Sequence, residues 1–253
     1  MTYQKYLKNL KRKKIIIIFI QILLFITIIL LWEYLSKNNI INSFIMSSPS
    51  NILKTITNLY NQNNLFKHIY TTLYEVIISF TITSILSLLL AIILYNFNTL
   101  HKILEPYILM FNSLPKVALG PIIIIWIGAN IKSVIVISIL ISIIVSFQSI
   151  YNGFINTDKN KIKLLKTFNS SKKDILLYLI IPSNKQTIIN TLKVNISMCL
   201  IGTVTGEFLS SKEGIGYLIL YGSQVFNLNL VMTGIFLLLI ISLILYKIIK
   251  IIH

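Results

Sequence analysis

Six apolar segments constrain this chain more than any other feature it has. They lie near residues 15–35, 72–95, 103–127, 131–151, 188–209 and 229–249. Each is long enough to cross roughly 30 Å of hydrocarbon. Inside a bilayer no water satisfies the backbone, so a spanning segment must close its own hydrogen bonds as a helix. The expected fold is therefore an all-α membrane protein of six transmembrane helices. Composition agrees: hydrophobic residues make up 55% of the chain and charged ones only 12%, where a soluble domain is about a quarter charged. The first segment reads as a retained span rather than a cleaved leader. Its apolar run from Ile15 to Trp32 is too long, and no small-residue cleavage site follows.

Orientation follows from the lysines and the single Arg12. With the N-terminus inside, sixteen basic residues lie in or beside cytoplasmic segments and five lie outside, with Lys116 and Lys193 inside spans. The expected topology is N-in and C-in, in a multi-pass protein of the cell membrane whose solvent is the lipid bilayer. The Asn- and Ser-rich external segment from Ser36 to Thr71 marks the one natural division. Residues 1–70 would hold a basic tail, the first span and the external loop, and residues 71–253 the core. A net charge of +16 raises nucleic acid as a partner, but no basic stripe interleaved with aromatics supports it. Cys199 is alone, which excludes a disulfide within the chain, and His68, His101 and His253 show no metal-ligand spacing.

The loop from Asn152 to Thr187 carries seven lysines against Asp158 and Asp174. Asp158 is placed to cap a first short helix with an apolar face of Ile162, Leu165 and Phe168. Asn169 falls where the helix ends, and Asn takes the left-handed conformation readily there. Ser171 with Asp174 has the spacing of a capping box for a second helix limited by Pro182. An amphipathic hairpin lying on anionic lipid is one reading of this pattern, and a docking loop for a protein is the other.

In its spacing the stretch resembles the cytoplasmic Glu-Ala-Ala loop of importer permeases of the ATP-binding cassette family. The matching positions are Lys163, Leu164 and Leu165, then Asn169, then Leu179, Ile181 and Pro182; the Glu, both Ala and the Gly of the pattern are replaced. Three further stretches are similar to the nitrate/sulfonate/taurine-type permeases. They are Leu31-Trp32-Glu33 with Ser48-Pro49-Ser50, Ser113 to Pro121 with Trp126-Ile127-Gly128, and Glu207-Phe208 with Gly214 to Ile219. The resemblance runs from about residue 31 to 250 in the family's order. It implies a five-helix permease core with a cytoplasmic coupling-helix loop at 152–187, where Lys163, Leu164, Leu165, Phe168, Asn169, Ile181 and Pro182 meet an ATPase. It also implies a homodimer around a central pathway, ATP-binding cassette subunits and an external solute-binding protein. The solute would be a nitrate-, sulfonate- or taurine-like anion or a thiamine-precursor pyrimidine.

Polar residues recur inside the spans. Thr72, Glu75, Ser79, Thr83 and Ser87 share one face of the second, and Ser138, Ser142, Ser146 and Ser149 mark the fourth. Small and hydroxylated residues permit close helix packing, which is the reading for the serines. On the fifth span Thr191, Asn195, Met198, Gly202 and Thr205 fall on one stripe, read as lining a pathway between two copies because Asn195 suits lipid poorly. Pro115, Lys116 and Glu207 complete the pathway candidates. Lys116 also fits a structural kink, and Glu207 an interfacial position near the outer end of its span. The chain contains no phosphate-binding Gly-x-x-x-x-Gly-Lys loop and no nucleophile or zinc motif. It is expected to be no enzyme and to hold no cofactor, with ATP and Mg bound by the partner. A gradient-driven secondary transporter would carry acids in several spans, and a membrane scaffold would need no pathway or ATPase.

Overall fold

The computed structural model describes residues 3–38, 40, 46–62 and 64–251. Of the segment expected to be external, residues 39, 41–45 and 63 lie outside this description, as do residues 1 and 2 of the basic tail. The described chain is helical throughout, and no strand occurs among the described residues. Helix α1 (Tyr3–Lys37) precedes α2 (Pro49–Asn61) and the long α3 (Leu65–Asn96). Then come α4 (Asn98–Ser113), a 3-10 turn (Lys116–Leu119), α5 (Gly120–Ile127) and α6 (Ile131–Ile155). The Lys-rich loop holds α7 (Lys159–Thr167), α8 (Lys172–Asp174), a π-helical stretch (Ile175–Ile180) and α9 (Ile181–Ser183). Helices α10 (Lys185–Ser210), α11 (Ile215–Gln224) and α12 (Leu228–Ile251) close the chain.

Five of these helices are long and apolar enough to span a membrane: α1, α3, α6, α10 and α12. The third apolar segment, expected over 103–127, is not one straight helix. It is broken into α4 and the pair of 3-10 turn and α5, which meet at 88°. At about 24 Å, the 16 residues of α4 fall short of the hydrocarbon thickness. Pro115 explains the break. It has no N–H to donate, and its ring drives Leu114 into the extended region, with ψ at 136°.

The core is a three-helix stack in which α6 packs on both α10 and α3. Helices α6 and α10 approach closely because α10 carries Gly-x-x-x-Gly at Gly202 and Gly206. A Cβ on Gly202 would lie 2.6 Å from the Ser138 Cα, and one on Gly206 2.9 Å from the Val134 Cα. In lipid, association rests on such packing rather than on a hydrophobic drive. A second layer is built by α11 and α12, with α2 lying against α12. Two apolar clusters fill the ends. One joins Leu59, Leu65, Ile215, Leu218 and Leu245, and the other joins Leu94, Phe147, Phe154, Ile175 and Ile180.

Helix α1 stands apart, with nearly all its apolar side chains from Ile15 to Leu31 open to the surroundings. It meets the bundle through its last turns. Glu33 accepts the Ser50 N–H (3.1 Å) and the Ser50 hydroxyl (2.9 Å). Ser48 is the N-cap of α2 and Pro49 occupies its first turn. The Trp-Glu and Ser-Pro-Ser motif is thus a carboxylate set on the free N–H groups of a helix start.

Leu at position 202 or 206 is expected to destabilise the purified protein by about 3 kcal/mol, since the colliding atoms are backbone. Ile201→Leu, on the open face of α10, should change stability by less than about 0.5 kcal/mol. Thermal unfolding in detergent measures both, and equal values would contradict the close crossing.

Candidate functional site

The Lys-rich loop folds as its caps dictate. The Asp158 carboxylate accepts the Asn160 N–H at 2.8 Å and starts α7. Asn169 takes a left-handed φ of 57° and turns the chain. Its neighbours close the corner, Asn169 N–H donating to Lys166 O and Ser170 N–H to Leu165 O. Ser171 and Asp174 form the reciprocal capping box, with Asp174 N–H on the Ser171 hydroxyl at 3.2 Å and Ser171 N–H on the Asp174 carboxylate at 3.0 Å. Two bonds from Ser171, hydroxyl first and then backbone, hold the Asp174 carboxyl below its ordinary range.

Beyond Asp174 the structure departs from a simple second helix. The stretch Ile175–Ile180 is π-helical and runs directly into α9, with Pro182 near its start. Pro182 has no N–H for the carbonyl four residues back, and the wider π ring accommodates the lost bond and the bulk of its ring. The chain then turns at the buried Asn184, whose amide donates to the Thr157 hydroxyl at 2.7 Å and to Ile180 O at 2.9 Å. This tie between the two ends of the loop was missed in the sequence, where Asn184 looks like one more polar loop residue.

The expected apolar face divides in two. Ile162, Leu165, Leu179 and Ile181 pack inward on the cluster of Phe147, Ile150 and Phe154. Leu164 and Phe168 point outward, at 58% and 72% exposure, and are joined by Tyr178 at 77%. Lys163 and Asn169 are exposed beside them, and Pro182 is exposed on α9. The inner side of the loop abuts Tyr95, Asn96 and Asn98, where α3 turns into α4. His101 stacks on Tyr151 at 4.2 Å nearby and ties α4 to α6.

The polar stripes of α3, α6 and α10 meet inside the chain. Thr83 and Ser142 hydroxyls lie 3.1 Å apart, and Ser138 donates to Cys199 O at 2.9 Å. Ser149 pairs with Thr191 at 2.8 Å, and Asn195 donates to the Ser84 hydroxyl at 2.8 Å. Thr191, Asn195 and Gly202 are thus turned into the bundle, against α3 and α6 of the same chain. Asn195 finds its partners within the chain, which removes the reason for giving it a water-filled cavity. Met198 and Thr205 lie half-buried at the edge of this face. The face of α10 that is open carries Asn190, Val194, Ser197 and Ile201. The Gly-x-x-x-Gly spacing was the available signal for this arrangement.

Pro115 is exposed at the break between α4 and the 3-10 turn, and Lys116 beside it reaches back to Asn112 O at 3.4 Å. Glu207, three residues from the end of α10, is fully buried. Its carboxylate accepts the Thr72 hydroxyl at 2.6 Å and the Gly216 N–H, while Thr72 in turn accepts the Ile215 N–H at 2.8 Å. Gly214 has φ of 105°, and a Cβ there would fall on the Glu207 carboxyl. The Glu207 and Gly-Ile-Gly motif therefore closes the connection between α10 and α11. Above it, Lys67 pairs with Glu213 at 2.8 Å, and that hydrogen-bonded lysine holds the Glu213 carboxyl low. An open cavity of about 520 Å³ is lined there by Asn130, Lys132, Ser211, Lys212 and Glu213. Among the described residues no cluster of His, Cys, Asp and Glu has the makings of a metal centre.

Comparison with known proteins agrees with this geometry. A probable ABC transporter permease protein of Haemophilus influenzae is 26% identical over 87% of this chain and 89% of its own length. The formylaminopyrimidine transport permease protein ThiX of Halalkalibacterium halodurans is 25% identical over 77% of each chain. In fold, the chain is similar to a chain of the MetNI methionine ABC transporter in an inward-facing conformation. The TM-score is 0.65 at 14% identity, covering 74% of this chain and 94% of that one. The family model for binding-protein-dependent transport system inner membrane components matches residues 83–253. The chain belongs to this family of inner-membrane permease components.

Proposed function

We propose that this permease component is the solute-conducting subunit of an ATP-binding cassette importer, coupled to its ATPase through the loop from Asn152 to Thr187. The observation that carries the reading is the outward trio of Leu164, Phe168 and Tyr178, set among lysines on a corner locked by Asn169 and the Ser171–Asp174 box. Apolar and aromatic side chains held rigid on a polar rim are what a protein partner buries. An interfacial hairpin lying on lipid would send Ile162 and Leu165 outward as well, yet those two pack on the bundle. A push on the loop passes through Ile175, Leu176 and Ile180 to α6, and through Asn184 to α10.

In this reading the loop end of the bundle is cytoplasmic, as the lysine asymmetry requires. The opposite end receives solute from an external binding protein. Two copies pair so that the open face of α10, with Asn190, Val194, Ser197 and Ile201, borders the pathway. Met198 and Thr205 stand at its edge, and the broken α4–α5 segment with Pro115 and Lys116 lies near its mouth. ATP and Mg belong to the partner, and nucleic acid has no part. The solute class is a small anion of the nitrate, sulfonate or taurine type or a thiamine-precursor pyrimidine, the second being in line with the pyrimidine named for the ThiX relative.

Phe168→Asp or Leu164→Asp is expected to weaken ATPase docking roughly thirtyfold, the equivalent of about 2 kcal/mol. Yield and membrane insertion should stay normal. Uptake and co-purification of the ATPase are the measurements, and normal coupling in both variants would sink the docking role. Asn169→Gly should be silent, because Gly adopts the left-handed corner freely, whereas Asn169→Val should cost about 1–2 kcal/mol.

Topology is tested by cysteine labelling from outside the cell. Engineered sites at the exposed Asn61 and Lys212 should react and one at Asn160 should not, with the buried Cys199 silent as background. Labelling at Asn160 would overturn the orientation and the ATPase docking together. On α10, Ser197→Trp should reduce uptake while leaving yield unchanged, whereas bulk at Gly202 should harm folding first.

A further inference from the structure

At the end of the bundle opposite the Lys-rich loop, two carboxyl groups meet in the interior. Glu75 of α3 and Glu207 of α10 are each fully enclosed, and their carboxyls hydrogen-bond to each other. An ionised carboxylate has no hydrogen to give, so a bond between two carboxyl groups requires a proton on one of them. The other partners of the pair say which one. Glu207 already accepts the Thr72 hydroxyl at 2.6 Å and the N–H groups of Gly216 and Tyr217, which are the surroundings of an acceptor. Glu75 stands one turn beyond Thr72 on the same face of α3, and its carboxyl has no partner except Glu207. Neither acid is in an ion pair: among the described residues the salt bridges are Glu33–Lys37 and Lys67–Glu213.

The elements around the pair bring no base to it. On α3, Lys67 lies about 12 Å along the helix and is paired with Glu213, while His68 accepts the Gly214 N–H at 3.1 Å. The connection from α10 to α11 adds the exposed Lys212, and α6 adds the exposed Lys132. Helix α11 adds Tyr217, stacked on His68, and the ionisable residues of α12 begin at Tyr246, near its opposite end. Two like charges side by side in such a place cannot both persist. We propose that one proton, carried by Glu75 and shared with Glu207, locks α3 to the corner where α10 turns into α11. The Glu207 carboxyl then gathers donors from α3 and α11 on a residue of α10. Loss of the proton would set two anions against each other at the place where Ile215 and Gly216 depend on Thr72 and Glu207. The corner is therefore a pH-sensitive lock. This rests on the fold alone and holds for whichever solute the permease carries.

The test uses the purified full-length chain in detergent micelles. Infrared spectroscopy reads protonated carboxyl groups, and the chain has seven acids. Glu33 and Glu213 are ion-paired, Asp158 and Asp174 are caps, and Glu105 is exposed. A protonated-carboxyl band at about pH 7.5, well above the ordinary carboxylate range, therefore belongs to the buried pair. It is expected in the unmodified chain and should vanish in Glu75→Gln, whose amide donates to Glu207 without a titrating proton. Thermal unfolding between about pH 7.5 and about pH 9, above the ordinary histidine range, then tests the lock. The folded chain binds one proton more than the unfolded one, whose open carboxyls are ionised, so stability falls as pH rises. The Tm of the unmodified chain should drop by roughly 5 °C more than that of Glu75→Gln, since Cys199 and the lysines titrate alike in both. Absence of the band from the unmodified chain, its persistence in Glu75→Gln, or equal drops in the two chains overturns the proposal. Should Glu75→Gln fail to fold, the unmodified chain decides alone: the band supports the shared proton and its absence overturns it.

Discussion

The crossing of α6 and α10 at Gly202 and Gly206 is the contact on which the rest of the bundle depends. Lipid provides no hydrophobic drive for helices to associate, so they are held by close packing and by the few polar bonds that close packing permits. With glycine at these positions the Ser138 backbone comes near enough for its hydroxyl to reach Cys199 O. The same approach places Ser142 between Thr83 and Cys199, and so draws α3 into the stack. At one end the crossing positions Glu207 for Thr72 and the α11 start. At the other it brings Thr157 and Asn184 together and defines the base of the Lys-rich loop.

The motifs that mark the family are, in this structure, devices for ending and starting helices. Glu33 serves the N-terminus of α2, Pro115 breaks the third apolar segment, and Glu207 serves the N-terminus of α11. Each satisfies or removes a backbone donor at a place where water is scarce. Such turns are where the backbone accounting is hardest to solve. The Lys-rich loop obeys the same logic outside the membrane with different residues. Asn169 serves at the corner because a left-handed φ is required there rather than a particular side chain, and Asn tolerates it.

The loop also shows how one short element serves two surfaces. Its inner residues, Ile162, Leu165 and Leu176, belong to the cluster around Phe154, which makes the loop a rigid part of the bundle. Its outer residues, Leu164, Phe168 and Tyr178, are then held exposed without further ordering cost. Rigid display of this kind is what a mechanical connection between subunits needs, since a soft loop would absorb the motion it is meant to pass on.

Much of this was legible in the sequence because it is local. Apolar run length identified the spanning helices, and single residues at fixed offsets, Asp158, Asn169, and Ser171 with Asp174, identified the caps and the corner of the loop. These depend on hydrogen bonds between near neighbours, which spacing alone encodes. The direction of the α10 stripe was not legible, since a polar row on a helix looks the same whether it faces a cavity or another helix. Only the tertiary structure, by placing Ser84, Ser138 and Ser149 opposite Asn195, Gly202 and Thr191, decided that it faces inward. It likewise decided the fate of Glu207 and Thr72, which stand 135 positions apart in the chain. Their meeting follows from the packing of α3 on α10, a long-range outcome of helix shape that no local pattern contains.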